Sequence, residues 1–173
     1  DKEIDLTYLR TIFAKNPLET ITKETNTTIE QYKQAHDKEF EEDYRSSTLF
    51  DSIDEILAEL SQNNTIALVT SSFSEMFIPL IDKYELNEYF AAYLGANVGS
   101  DKRKKMELAL QEFDFEKNQA IFISDTVGDI MEAQDIGVKT IAVTWGFSTK
   151  EDLQAINPDY LIETPKELLE ILR

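Results

Sequence analysis

The run from Ala120 to Met131 constrains this chain more than any other, because it carries an apolar block straight into two carboxylates. Ile121, Phe122 and Ile123 are continuous and closed by a polar turn, the pattern of a strand buried on both faces and hence of a parallel sheet. Beyond the turn, Ile130, Ala133 and Gly137 recur at helical spacing, and Gly137 stands where a left-handed residue ends a helix. In open α/β sheets ligands gather at the carboxyl ends of strands. Asp125 and Asp129 put two hard oxygen donors there, suited to Mg2+ and short of a third ligand. The same residues also suit a local role, Asp125 as helix cap and Asp129 as a first-turn acid. Both readings stay open from this window.

The rest of the chain repeats the alternation of strand and helix. Ile66 to Val69 reads as a second buried strand running into Thr70, Ser71 and Ser72, whose hydroxyls suit either an anion or the cap of the next helix. That helix carries Phe73, Phe77, Ile81 and Tyr84, and Pro79 is expected to kink it or delay its start. Tyr93 and Leu94 predict a short third strand. After Ser100 and Asp101 comes a helix with Met106, Ala109, Leu110 and Phe113 on its buried face. Its first turn, Lys102-Arg-Lys-Lys105, sets cations against the positive end of the helix dipole. Either that charge meets an anion, or the stems lie on the surface with their heads in water. Lys139 to Thr144 is a further strand, followed by Trp145, Gly146 and Phe147, with Gly146 expected to allow a sharp turn and the two aromatics to border a pocket or join the core. Tyr160 to Ile162 reads as an edge strand. Capping boxes are expected at Ser52 with Glu55, Ser148 with Glu151 and Thr164 with Glu167. Such an order predicts a doubly wound α/β sheet.

Before this comes a helical lobe from Leu6 to Tyr44, broken at Asn16 and Pro17, with its second helix starting at Thr27 or Thr28. Its single histidine, His36, lies on the apolar stripe, so packing is favoured over acid–base chemistry. Glu39, Glu41, Glu42 and Asp43 read as a solvated face. With 34 acidic against 17 basic residues and a formal charge of -17, no general affinity for nucleic acid or anionic membranes is expected. The chain has no cysteine, which excludes disulfides and thiolate chemistry and fits a cytoplasmic protein. No apolar run is long enough to span a bilayer.

Thr70 after one strand, a basic cluster at a helix start, and Asp125 with Asp129 after another strand stand in one order. That order resembles the haloacid dehalogenase superfamily of phosphohydrolases, in particular its phosphoglycolate-phosphatase-like group. Ala67 to Thr70 is similar to the second motif, Lys102 to the third, and Phe122 to Asp129 to the fourth, with Ser124 where glycine is usual. Similarity extends through Gly137 to Phe147 and Pro158 to Ile162. The resemblance implies a HAD-like Rossmannoid parallel sheet with a small helical cap, here a partial cap lobe at 1–45 and an α/β core at 46–173. It also implies hydrolysis of a small phosphorylated metabolite through an aspartyl-phosphate. Asp125 and Asp129 would hold Mg2+, Thr70 would contact the phosphoryl group, and Lys102 would orient the nucleophile, with Lys104 or Lys105 as alternatives for that role.

Members of this family open with a strand ending in Asp-x-Asp, and no such motif occurs here. Phe113-Asp-Phe-Glu116 follows a helix, and Asp51-Ser-Ile-Asp54 has the wrong spacing. The resemblance places the missing strand mid-sheet, between the strands at Ile66 to Val69 and at Ala120 to Ile123. Three expectations follow: a longer natural polypeptide, a strand supplied by another segment or chain, or two sheet halves closing on each other. The first is favoured. As it stands the chain lacks the nucleophile and is expected to be inactive. The alternative functions are a non-catalytic Mg2+- and phosphate-binding module and a bare interaction domain.

Overall fold

The computed structural model describes residues 6–14, 17–34 and 46–173. Helices α1 (Leu6–Phe13) and α2 (Pro17–Thr25) pack on each other, and Pro17 takes the first position of α2, where its missing N–H is no loss. A helical stretch α3 (29–34) follows. Thr28 caps it: its Oγ1 accepts from Gln31 N at 3.1 Å, and Gln31 Oε1 accepts from Thr28 N at 2.9 Å. His36 and the acidic run from Glu39 to Asp43 lie outside the described residues.

The expected alternation then runs α4 (Ile53–Leu60), β1 (Ala67–Val69), α5 (Ser74–Lys83), β2 (Ala92–Leu94), α6 (Lys102–Glu112), β3 (Ile121–Ser124), α7 (Val127–Asp135), β4 (Lys139–Val143), α8 (Lys150–Ala155), β5 (Tyr160–Ile162) and α9 (Glu167–Leu172). Every strand pair is parallel, as continuous apolar strands demand. The pairs form two sheets, β1-β2 and β3-β4-β5, and no ladder joins β1 to β3 among the described residues. Among the described residues the two halves do not pair edge to edge.

Burial follows that break. In β4, flanked on both sides, Thr140 to Val143 are buried, whereas β1 is only half-buried. The expectation that Ile121 to Ile123 are buried on both faces needs correction, since Ile123 is 38% exposed. A strand with one uncovered edge cannot shield its side chains as β4 does.

The helical layers, in contrast, run across the break. Helix α6 packs on β1, β2 and α7, while α7 packs on β3 and β4. Val69 of β1 and Phe122 of β3 therefore meet in one apolar cluster around Met106, Ala133 and Val138. A second cluster joins Ile66 and Ile121 through Ile56 and Leu60 of α4, which packs on α9. No helix among the described residues is long and apolar enough to cross a membrane.

Several local expectations change. Ser52 precedes α4 with φ 63° and makes no side-chain cap, so no capping box forms there. Ser148 is not a cap either; Thr149 caps α8, accepting from Asp152 N at 3.2 Å. At Thr164 the reach-back is present, with Glu167 Oε1 accepting from Thr164 N at 2.7 Å. Pro79 sits inside α5 and does not delay its start. Gly137 has φ +77°, the left-handed geometry expected after α7.

Candidate active site

The sequence-predicted residues lie on loops and helix starts beyond the carboxyl ends of the parallel strands, and a direct contact joins Lys102 to Asp129. Asp125 follows β3 and Asp129 lies in the first turn of α7. Thr126, not Asp125, caps α7, its Oγ1 accepting from Asp129 N at 3.4 Å. The capping explanation for Asp125 is therefore removed.

The Asp125 carboxylate is held by the loop after β4. Its Oδ2 accepts from Phe147 N at 2.6 Å, and its main-chain oxygen accepts from Ser148 N at 3.1 Å. The Ser148 hydroxyl accepts in turn from Val127 N at 3.2 Å. A Cβ on Gly146 would fall on the Asp125 side chain. The chain bends at Gly146 as expected, and glycine is needed there for this close approach as well. Trp145 packs against the core cluster of Ile141 and Val143.

Asp129 has different neighbours. Its Oδ2 forms an ion pair with Lys102 Nζ and accepts from Ser124 Oγ at 2.9 Å. Both partners of the pair are largely buried, with side-chain exposures of 10% and 14%. Lys102 N also donates to Glu132 Oε2 at 3.1 Å, and burial, reinforced by the Asp129 charge, pushes the Glu132 carboxyl above its ordinary value. Each aspartate thus has Oδ2 engaged by the protein. Among the described residues no hydrogen bond to either Oδ1 is seen, and no cation pairs with Asp125. Two hard oxygens on adjoining elements, one of them uncompensated, fit part of a Mg2+ shell. No group of three or more metal-ligating side chains occurs among the described residues, so the set is incomplete.

The basic cluster divides. Lys102 and Lys105 are buried and Lys104 is exposed, while Arg103 turns back onto the capping Asp101 at 3.1 Å. Surface stems with solvated heads therefore describe Lys104, not Lys102 or Lys105. Lys105 is 1% exposed and donates to Thr70 O at 2.6 Å. Burial, with the Lys102 charge added, lowers its pKa to about 8. The Thr70 hydroxyl accepts from Ser72 N at 3.1 Å, which leaves its own proton to donate. Sequence reasoning missed the Ser124 hydroxyl and the Phe147 N–H as partners of the two aspartates. Only the position of Ser124, where glycine is usual in the family it resembles, signalled the first.

The model of the haloacid dehalogenase-like hydrolases matches residues 4–143. A phosphoglycolate phosphatase of Vibrio parahaemolyticus is 26% identical over 133 residues, 75% of this chain and 58% of that protein. A pyrophosphatase of Bacillus thuringiensis is 25% identical over 157 residues, 89% of this chain and 70% of that protein. The chain spans 54% to 58% of the length of the curated relatives it matches first. Among solved structures, a haloacid dehalogenase-like hydrolase of Streptococcus pneumoniae superposes with a TM-score of 0.81 at 25% identity, over 100% of this chain and 83% of that one. A predicted phosphatase of Clostridium acetobutylicum gives 0.82 at 21% identity, over 98% and 82%, which shows a shared fold.

Proposed function

The chain belongs to the haloacid dehalogenase-like hydrolases, and from that membership we propose that it forms the phosphate- and metal-binding side of a phosphatase for small phosphorylated metabolites. The observation that supports this reading is the buried ion pair of Lys102 with Asp129 in the first turn of α7, with Asp125 after β3 and Thr70 after β1, beside two strand edges that bear no partner among the described residues. Asp125 and Asp129 would hold Mg2+ through the oxygens the protein leaves unused, where it would screen an anionic phosphoryl group from an attacking carboxylate. Thr70 would donate to a phosphoryl oxygen. Lys102, held on Asp129, would share its charge with the nucleophile. The nucleophile itself would arrive on an Asp-x-Asp strand, from another segment or chain, seated between β1 and β3. The helical lobe at 1–45 would close over the substrate and set its choice.

Relatives named as phosphoglycolate phosphatases and pyrophosphatases make phosphoglycolate and pyrophosphate the first substrates to test. In a polypeptide that includes the Asp-x-Asp strand, Mg2+-dependent release of phosphate is expected, and Asp125→Asn should abolish it. Turnover undiminished by Asp125→Asn would sink this reading. A second reading takes the same Thr70 hydroxyl, buried Lys102–Asp129 pair and Asp125 carboxylate as a non-catalytic Mg2+- and phosphate-binding module. Mg2+-dependent binding of phosphate with no turnover, even with the added strand, selects it.

A further inference from the structure

Lys105 is the most buried charged side chain among the described residues, and neither reading above gives it a role. It lies one turn after Lys102 on α6. Its Nζ donates to Thr70 O at 2.6 Å and reaches Gly95 O at 3.5 Å, straddling the ends of β1 and β2. No carboxylate forms an ion pair with it among the described residues; Asp101, Asp129 and Glu132 act on it from a distance, as does the Lys102 charge. An apolar side chain of similar length would fill this space without the cost of burying an ammonium group. What only an ammonium supplies here is a strong donor to one chosen carbonyl.

That carbonyl sets a peptide plane. The turn from Thr70 to Ser72 is fastened by Thr70 N to Leu94 O at 3.1 Å, Ala96 N to Ser72 O at 2.8 Å, and Ser72 N to the Thr70 hydroxyl at 3.1 Å. Its remaining N–H, that of Ser71, bonds to no acceptor among the described residues. The peptide is trans, so the Ser71 N–H points opposite to the Thr70 carbonyl, away from the buried ammonium. We infer that Lys105 is a positioning residue: by holding the Thr70 carbonyl it aims the Ser71 N–H outward, so that this N–H and the Thr70 hydroxyl receive one phosphate anion together. The inference rests on the proposed phosphate role of Thr70 and adds the device that orients the turn.

Titration of the isotopically labelled chain with inorganic phosphate in the presence of Mg2+, followed by the backbone amide resonances, separates the two. In the unsubstituted chain phosphate should shift the Thr70 and Ser71 amides. In Lys105→Met, with the remaining spectrum preserved, the same shift should need about tenfold more phosphate. Lys105→Gln, which keeps N–H donors but not the charge, should fall between. Equal phosphate dependence in all three overturns the role of Lys105 and leaves the phosphate site intact. No shift at Thr70 or Ser71 in the unsubstituted chain overturns the phosphate reading, and this inference with it. Should neither variant fold, a scalar coupling across the Lys105 Nζ to Thr70 carbonyl hydrogen bond, together with a phosphate shift at Ser71, supports the inference; a Ser71 shift without that coupling refutes it.

Discussion

Replacing Gly146 by alanine tests whether the loop after β4 is built around Asp125. An ideal Cβ at 146 would overlap the Cβ, Cγ and Oδ2 of Asp125. The aspartate cannot swing clear cheaply, because Oδ2 is bonded to Phe147 N at 2.6 Å and its main-chain oxygen to Ser148 N. Overpacking of this kind costs about 1–3 kcal/mol, and loss of a hydrogen bond to a charged group about 1.5–3 kcal/mol. The two together predict about 2.5–6 kcal/mol of lost stability. For a chain of this size each kcal/mol lowers the melting temperature by about 2–4 °C. Gly137→Ala is the control: its φ of +77° is unfavourable for a side chain, yet no atom lies within 4 Å of the added Cβ. That change should cost only the backbone term, about 1–2 kcal/mol. Urea unfolding of both variants, followed by circular dichroism, makes the comparison. If Gly146→Ala loses no more than Gly137→Ala, Asp125 is free to move and the loop after β4 does not hold it.

Thr140 is fully buried, and its hydroxyl both donates to Asp159 Oδ2 at 3.0 Å and accepts from Asp159 N at 3.1 Å. Thr140→Val should therefore cost about 1–3 kcal/mol in urea unfolding, although it conserves shape, and an unchanged midpoint would refute the pairing of the β4 and β5 starts. Lys105 titrates at about 8 in the fold against 10.5 ordinarily, so between these values the unfolded chain binds more protons and stability contributed by this group rises with pH. Below about pH 8 the group's full penalty is present. Denaturant midpoints measured from pH 8 to 10.5 should rise in the unsubstituted chain relative to Lys105→Met; parallel profiles would show that Lys105 keeps an ordinary pKa.

How much of this was legible before the structure depends on the range of the interaction involved. The strands β1, β3 and β4 and the left-handed Gly137 follow from apolar runs and local backbone preference, and they appear where expected. Capping boxes were less reliable. Ser52 and Ser148 satisfy the consensus, but Ser52 takes a left-handed conformation and Ser148 is drawn to Val127, a tertiary partner 21 residues away. Lys105 shows the same limit. A lysine in a basic first turn reads either as a charge that meets an anion or as a surface stem, and the approach of the β1 and β2 ends, 35 and 10 residues earlier, is what turns Lys105 inward. At Gly146 the sequence points to a sharp turn, and the further demand for glycine lies in a side chain delivered by another strand.

The split sheet ties these observations together. Thr70 N bonds to Leu94 O and Ile66 O accepts from Ala91 N, so the even-numbered residues of β1 face β2. By alternation, the N–H and C=O of Ala67 and Val69 face the other edge, toward β3. Left unsatisfied in a buried setting, each such group costs about 1–3 kcal/mol, a large burden for a domain with only about 5–15 kcal/mol of net stability. The half-buried state of β1 and the exposure of Ile123 keep these edges within reach of water, which softens that cost. Meanwhile the shared clusters around Met106 and around Ile56 hold both halves over common helices, so the break does not separate them. A parallel strand entering there would satisfy both edges at once and bring its carboxyl end out beside Thr70, Lys102 and Asp125. Residues at that end would then face Lys102, the one cation already held in the site by Asp129. The geometry that makes the edges costly alone is the geometry that would place the end of the proposed Asp-x-Asp strand against the residues proposed to bind phosphate.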